Sequence, residues 1–163
     1  MTIPDRATTP ALLQVDAILS RLTGRQALGE VCRFLRQSFA HYPWVGVYRV
    51  EGTDLVLDAW DGPQATEHTR IPIARGICGQ AVREDRSVIV ADVRSDPNYL
   101  ACFLETRAEI VVPIRHEGHV VGEVDIDGNS VSAFDASDRR FLESVAAKLG
   151  AAVERSGAQL PLG

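Results

Sequence analysis

In the tract Glu123-Val124-Asp125-Ile126-Asp127, carboxylates alternate with aliphatic residues. In an extended chain that spacing puts the acids on one face and Val124 and Ile126 on the other. Such a face is either solvated or the wall of a pocket. Asp and Glu are poor strand formers, and stacking like charges at i, i+2 and i+4 costs free energy that a plain surface avoids with Thr or Lys. The sharper reading is therefore an acidic wall. It could bind a cation such as an α-ammonium group, or hold one carboxyl protonated as a proton donor. Glu109 opens the apolar run Ile110-Val111-Val112-Pro113-Ile114. If the two runs pair about the Glu117-Gly118 turn, Glu109 approaches the Asp125/Asp127 end and joins the acids.

The thiols are the other candidates for chemistry. Cys32 falls on the apolar stripe of a helix and reads as core filler, because a free cysteine behaves as a small hydrophobe. Cys78 lies between Gly76 and Gly79, in what looks like the first turn of a short helix. Unpaired N–H groups and the helix dipole there would favour thiolate. Cys102 lies in a long polar segment with Arg94 and Arg107 nearby in sequence. Each of these two thiols is either buried and inert or reactive. His68, His116, His119, Cys78 and Cys102 show neither C-x₂-C nor H-E-x-x-H spacing, and His116 and His119 straddle a turn, so no metal site is expected. The isolated glycines form no phosphate loop, and no Ser sits in a nucleophile elbow.

These residues need elements to position them. Residues 1–10 carry two Pro, three Thr and no periodicity, and are expected to be a flexible arm. Val15, Ile18, Leu19 and Leu22 then mark a helix beginning at Ala11, and Leu28, Val31, Cys32, Leu35 and Phe39 mark a second, which Pro43 ends. From Trp44 the period changes. Trp44–Val50 and Leu55–Trp60 read as a hairpin about Glu51-Gly52-Thr53-Asp54, with brief strands at Arg70–Ile73 and Ser87–Val90 around a helix opening at Gly76. Asp92–Thr106 is the longest irregular stretch, the kind of segment where binding function concentrates. After the Glu109–Arg115 and His119–Asp127 strands, one last helix is expected from an Asp135 N-cap to near Gly157. The economical architecture is α+β: a mostly antiparallel sheet of about six strands with helices packed on both sides. It is expected to be a single domain over residues 11–157, with 158–163 a flexible tail. The wide apolar stripes of the outer helices could also serve a homodimer.

Composition bounds the function. A chain of 163 residues with 45% hydrophobic and 24% charged residues can bury one sizeable core. Sixteen Arg and one Lys face 22 carboxylates, giving a formal charge of −5. That balance argues against nucleic acid or an anionic membrane as a partner, because phosphate contacts need a concentrated positive field. Met1-Thr2-Ile3-Pro4-Asp5 has no basic or apolar targeting character, and three cysteines make no secreted disulfide framework, so a cytoplasmic location is expected.

Five pieces in one order resemble a GAF domain, and within that superfamily the free methionine-(R)-sulfoxide reductases. They are Trp44-Val45-Gly46-Val47-Tyr48, Gly76-Ile77-Cys78-Gly79, Tyr99-Leu100-Ala101-Cys102, Glu109-Ile110-Val111-Val112-Pro113 and Asp125-Ile126-Asp127. The resemblance implies a GAF-like (PAS-like) sheet with a ligand pocket over one face. It further implies Cys102 as nucleophile, Cys78 as a second pocket thiol and Glu109 as the carboxyl that protonates the sulfoxide oxygen. Asp125 and Asp127 would hold the substrate's ammonium group, and Trp44 and Tyr48 would line the pocket. No cofactor is implied. The partners implied are free methionine sulfoxide, or another small amino-acid-like ligand, and thioredoxin as reductant. His68 stands where the family commonly carries a further cysteine, Phe103 and Ala108 replace the usual Asp and Ser, and Glu123 is an addition. Asp92-Val93, Asp96-Pro97, Tyr99-Leu100 and Ala133-Phe134-Asp135 resemble equally well the GAF modules that bind a small molecule without chemistry, which is the alternative function.

Overall fold

The computed structural model describes residues 2–101 and 103–159. Helices α1 (Asp5–Arg21) and α2 (Gly24–Ser38) lead into strands β1 (Trp44–Glu51), β2 (Asp54–Asp61) and β3 (Arg70–Pro72). Helix α3 (Gly76–Glu84), strand β4 (Val88–Val90) and a 3₁₀ turn (Val93–Ser95) follow, then β5 (Ala108–His116), β6 (His119–Gly128), α4 (Ala136–Ala146) and α5 (Gly150–Ala158). The strands form one antiparallel sheet in the order β3-β2-β1-β6-β5-β4. The expected α+β sheet of about six strands is therefore present. No helix among the described residues is long and apolar enough to cross a membrane.

Period-two alternation gives the central strands two different faces. Val45, Val47, Ile110, Val112, Ile114, Val124 and Ile126 pack into one core with residues of α1, α2, α4 and α5. The smaller second core joins Tyr48, Leu55 and Val111 to Ile77, Cys78 and Ala81 of α3. Fully burying each aliphatic side chain is worth about 1.5–3 kcal/mol, so the larger core carries most of the stability. The β5–β6 hairpin closes at Glu117 and Gly118, both with positive φ (51° and 82°), the geometry that matches the twist of a two-residue hairpin loop.

Two expectations are corrected at the helices. The flexible arm expected over residues 1–10 is corrected for its described part, residues 2–10: α1 starts at Asp5, Ile3 is buried, and its N–H donates to Ser137 Oγ at 2.9 Å. The docking group is one aliphatic side chain, too little to show as periodicity. The final helix is two helices rather than one. At Gly150 a Cβ would lie 2.3 Å from the Arg115 carbonyl oxygen, so glycine lets the α5 backbone press directly on β5. The Asp135 N-cap is as expected, and Asp138 completes a reciprocal capping box with it. Asp138 is also fully buried and accepts from His41 Nε2 and the Tyr42 hydroxyl, each at 2.7 Å.

Candidate active site

The alternation in β6 and the register of its neighbours assemble the acids. Directly opposed residues of an antiparallel pair share a face. Asp127 faces Trp44 on β1 and Glu109 on β5; Asp125 faces Gly46 and Val111; Glu123 faces Tyr48 and Pro113. Glu109, Glu123, Asp125 and Asp127 are each at most 3% exposed, so the acid row is buried and not a solvated surface. Helix α3 lies over this face and brings Cys78 Sγ to 3.9 Å from Glu109 Oε1. Ligand atoms of Cys78, Glu109 and Asp125 all lie within 4.8 Å of one another.

Burial sets the electrostatics. The Cys78 thiol is pushed well above its ordinary value, first by desolvation and then by the charges of Asp125, Glu123 and Glu109. The expectation that the helix dipole would favour a Cys78 thiolate is therefore corrected: a partial charge at a helix end does not offset burial among carboxylates. Glu123 and Asp127 are likewise pushed well above the usual carboxyl range, chiefly by burial and further by the Asp125 charge, with the Cys78 thiol moderating the shift of Glu123. Asp125 is raised by burial, and hydrogen bonding with Glu109 and Cys78 moderates the shift. Among the described residues, both oxygens of Glu123 and Asp127 and one of Asp125 have no hydrogen-bond partner. Unpaired polar groups at this depth cost about 1–3 kcal/mol each, which suits a surface reserved for a polar ligand.

The aromatic residues divide between two tasks. Trp44 and Asp127 border a cavity of about 270 Å³, together with Phe103, Thr106, Gln64 and Asn129. Trp44 lies flat along the sheet because Gly46 has no side chain: a Cβ there would meet the indole at 2.5 Å. Its Nε1–H donates to the Gln64 carbonyl oxygen at 3.2 Å, and its ring meets Phe103 at 5.6 Å between centroids. Tyr48 lies deeper, fully buried in the core that contains Cys78, and its hydroxyl donates to the His68 carbonyl oxygen at 2.7 Å.

Cys102 lies outside the described residues. The segment that leads into it is tied down at two points. Asn98 Nδ2 donates to the Gly76 carbonyl oxygen at 2.9 Å, and His68 Nε2–H donates to the Ala101 carbonyl oxygen at 2.9 Å. Neither anchor was singled out as such in the sequence. The only signal for Asn98 was its place in the Asp96-Pro97-Asn98 turn, where its own N–H donates to Asp96 Oδ1. Cys32 is fully buried in the larger core, and burial pushes its thiol upward.

The family model described as GAF domain matches residues 23–154. GAF domain-containing protein A of Dictyostelium discoideum is 34% identical over 136 residues, covering 82% of this chain and 84% of that protein. The free methionine-R-sulfoxide reductase of Escherichia coli is 30% identical over 122 residues, 75% of this chain and 73% of that one. The crystal structure of the free methionine-R-sulfoxide reductase from Neisseria meningitidis in complex with its substrate superposes with a TM-score of 0.85 at 33% identity. It covers 98% of this chain and 97% of the other. With matches of this extent, the chain belongs to the GAF domain family, and within it resembles the free methionine-R-sulfoxide reductases.

Proposed function

We propose that the protein reduces free methionine-(R)-sulfoxide to methionine. The observation that carries this reading is the convergence of Cys78 with Glu109 and Asp125 in a buried patch, beside an aromatic cavity that Asp127 borders. Similarity to proteins named for that activity, over three quarters of this chain or more, supports it. Asp125 and Asp127 would hold the α-ammonium group. A methionine inside a polypeptide lacks that charge, which explains selection of the free amino acid.

The chemistry is an oxygen transfer between sulfurs. A Cys102 thiolate attacks the sulfoxide sulfur while the protonated Glu109 carboxyl hydrogen-bonds to the sulfoxide oxygen and gives it a proton. The sulfoxide is reduced by two electrons to methionine, and Cys102 is oxidised to the sulfenic acid. The Cys78 thiol then attacks the sulfenic sulfur, its proton leaves with the hydroxyl as water, and a Cys78–Cys102 disulfide forms. A dithiol reductant of the thioredoxin class restores both thiols by exchange. His68, where the family commonly has another cysteine, cannot resolve the sulfenic acid, so that task falls to Cys78.

A single-turnover reaction tests the scheme. Reduced protein mixed with one equivalent of the R sulfoxide, without reductant, should release close to one equivalent of methionine and acquire a Cys78–Cys102 disulfide, found by peptide mass mapping. Methionine release with no disulfide would refute Cys78 as the resolving thiol. No release, with ligand still bound, would support the alternative of a GAF module that binds without chemistry.

A further inference from the structure

Glu123 is left without a task by that chemistry. It is fully buried, both its oxygens lack a hydrogen-bond partner among the described residues, and its charge acts on Cys78. It lies in register with Tyr48 on β1 and Pro113 on β5, at the inner end of the acid row. The adjacent trio of Cys78, Glu109 and Asp125 offers one sulfur and two oxygens within 4.8 Å of one another, and Asp125 Oδ1 is unpartnered. Glu123, Asp125 and Asp127 make no ion pair among the described residues.

We propose that Cys78, Glu109, Asp125 and Glu123 form a site for one zinc-like divalent cation, and that this cation and free methionine sulfoxide exclude each other. One thiolate with carboxylate oxygens is a donor set that suits a borderline-soft ion. Tetrahedral bonds of ordinary zinc length place ligand atoms roughly 3.5 Å apart. The Cys78–Glu109 separation of 3.9 Å is already near that, the trio as a whole contracts from within 4.8 Å, and Glu123, outside that group, turns inward as the fourth ligand. A dication also supplies a positive charge to Glu123, Asp125 and Asp127, which have no ion-pair partner among the described residues, as the substrate's ammonium would. The four ligands are scattered from position 78 to position 125. No local spacing betrays them, which is why the sequence patterns of metal sites gave no expectation of one. Ion binding does not depend on the proposed reductase activity; only the competition rests on it, because Glu109 and Asp125 are the shared residues.

The experiment uses the full reduced chain and two probes. Zn²⁺ is titrated against a chromophoric chelator, and Co²⁺ replaces it to report a thiolate-to-metal charge-transfer band in the near ultraviolet. One equivalent of zinc should bind, and an excess of free methionine-(R)-sulfoxide should displace it. The cobalt band should persist in Cys102→Ser and Cys32→Ala and vanish in Cys78→Ser, while Glu123→Gln should weaken zinc at least tenfold. Absence of stoichiometric zinc or of the cobalt band in the unmodified protein overturns the site, whatever the variants do. A band that survives Cys78→Ser, or an affinity within twofold in Glu123→Gln, overturns the ligand assignment. Zinc that bound sulfoxide cannot displace overturns the competition. Methionine release measured separately, with chelator present, keeps the two readings apart: turnover without zinc binding refutes only the metal site, and zinc binding without turnover refutes only the reductase.

Discussion

The two faces of the sheet are made by alternate residues of the same strands, yet they are built to opposite rules. On β6, Val124 and Ile126 point into a dry aliphatic core covered by four helices, while Glu123, Asp125 and Asp127 point into a smaller layer covered by α3 and the following loop. Each buried aliphatic side chain on the first face contributes about 1.5–3 kcal/mol, whereas each unpartnered buried polar group on the second costs about 1–3 kcal/mol. The helix-covered face therefore stabilises the fold and offsets the cost of holding acids and thiol ready on the other. The proposed site lies where the sequence gives up stability.

Substitutions on the two faces should separate these roles. The largest effect is expected at Asp125→Asn, which removes a charge proposed to face the substrate's ammonium: kcat/KM for the free sulfoxide should fall on the order of a hundredfold, with melting temperature kept or raised. A large loss of stability instead would show that the acid row helps hold the fold. Ile126→Ala, the next residue on the other face, should destabilise by about 2–5 kcal/mol in denaturant titration and leave kcat/KM of the folded protein nearly unchanged. Asp138→Ala comes next. It removes the capping box and strips Tyr42 and His41 of their acceptor, so about 2–3 kcal/mol should be lost.

The smallest effect runs in the opposite direction. Asp127→Asn should stabilise the protein in chelator-containing buffer by about 1 kcal/mol, with a definite dependence on pH. Burial holds the Asp127 carboxyl well above its ordinary range. Below about pH 4 both folded and unfolded forms carry the proton and there is no penalty. As pH rises, the unfolded chain releases its proton first, so folding stability falls until the folded carboxyl ionises too. The gain from Asp127→Asn should therefore be larger at pH 8 than at pH 5. An equal gain at both would show that Asp127 titrates normally in the folded state.

Much of this contrast was legible in the sequence, because it is written in period-two alternation. The tract from Glu123 to Asp127 showed its acidic side, and the Glu117-Gly118 turn showed that Glu109 approaches its end; the turn alone would set Glu109 opposite Ile126, and the register shift between Ile114 and Arg115 is what sets it opposite Asp127. What escaped depends on approaches between distant segments. The direction of the Cys78 shift needs the acids of β5 and β6 as neighbours, which a dipole argument confined to α3 does not include. Docking of the N-terminus rests on the buried Ile3 side chain and on bonds from Thr2 to Asp135 and from Ile3 to Ser137. The break before α5 comes from the contact of Gly150 with β5, and within helical periodicity an isolated glycine looks like any other. The metal ligands proposed above were hidden for the same reason.

The central claim is that the acid-lined face does thiol chemistry on a free amino acid. The most direct test is methionine release from the separate R and S free sulfoxides, with dithiothreitol and then thioredoxin as reductant, and Cys102→Ser as the blank. The account predicts turnover of the R form only, with either reductant, and none in Cys102→Ser. No turnover of either form, or turnover that survives Cys102→Ser, would contradict it.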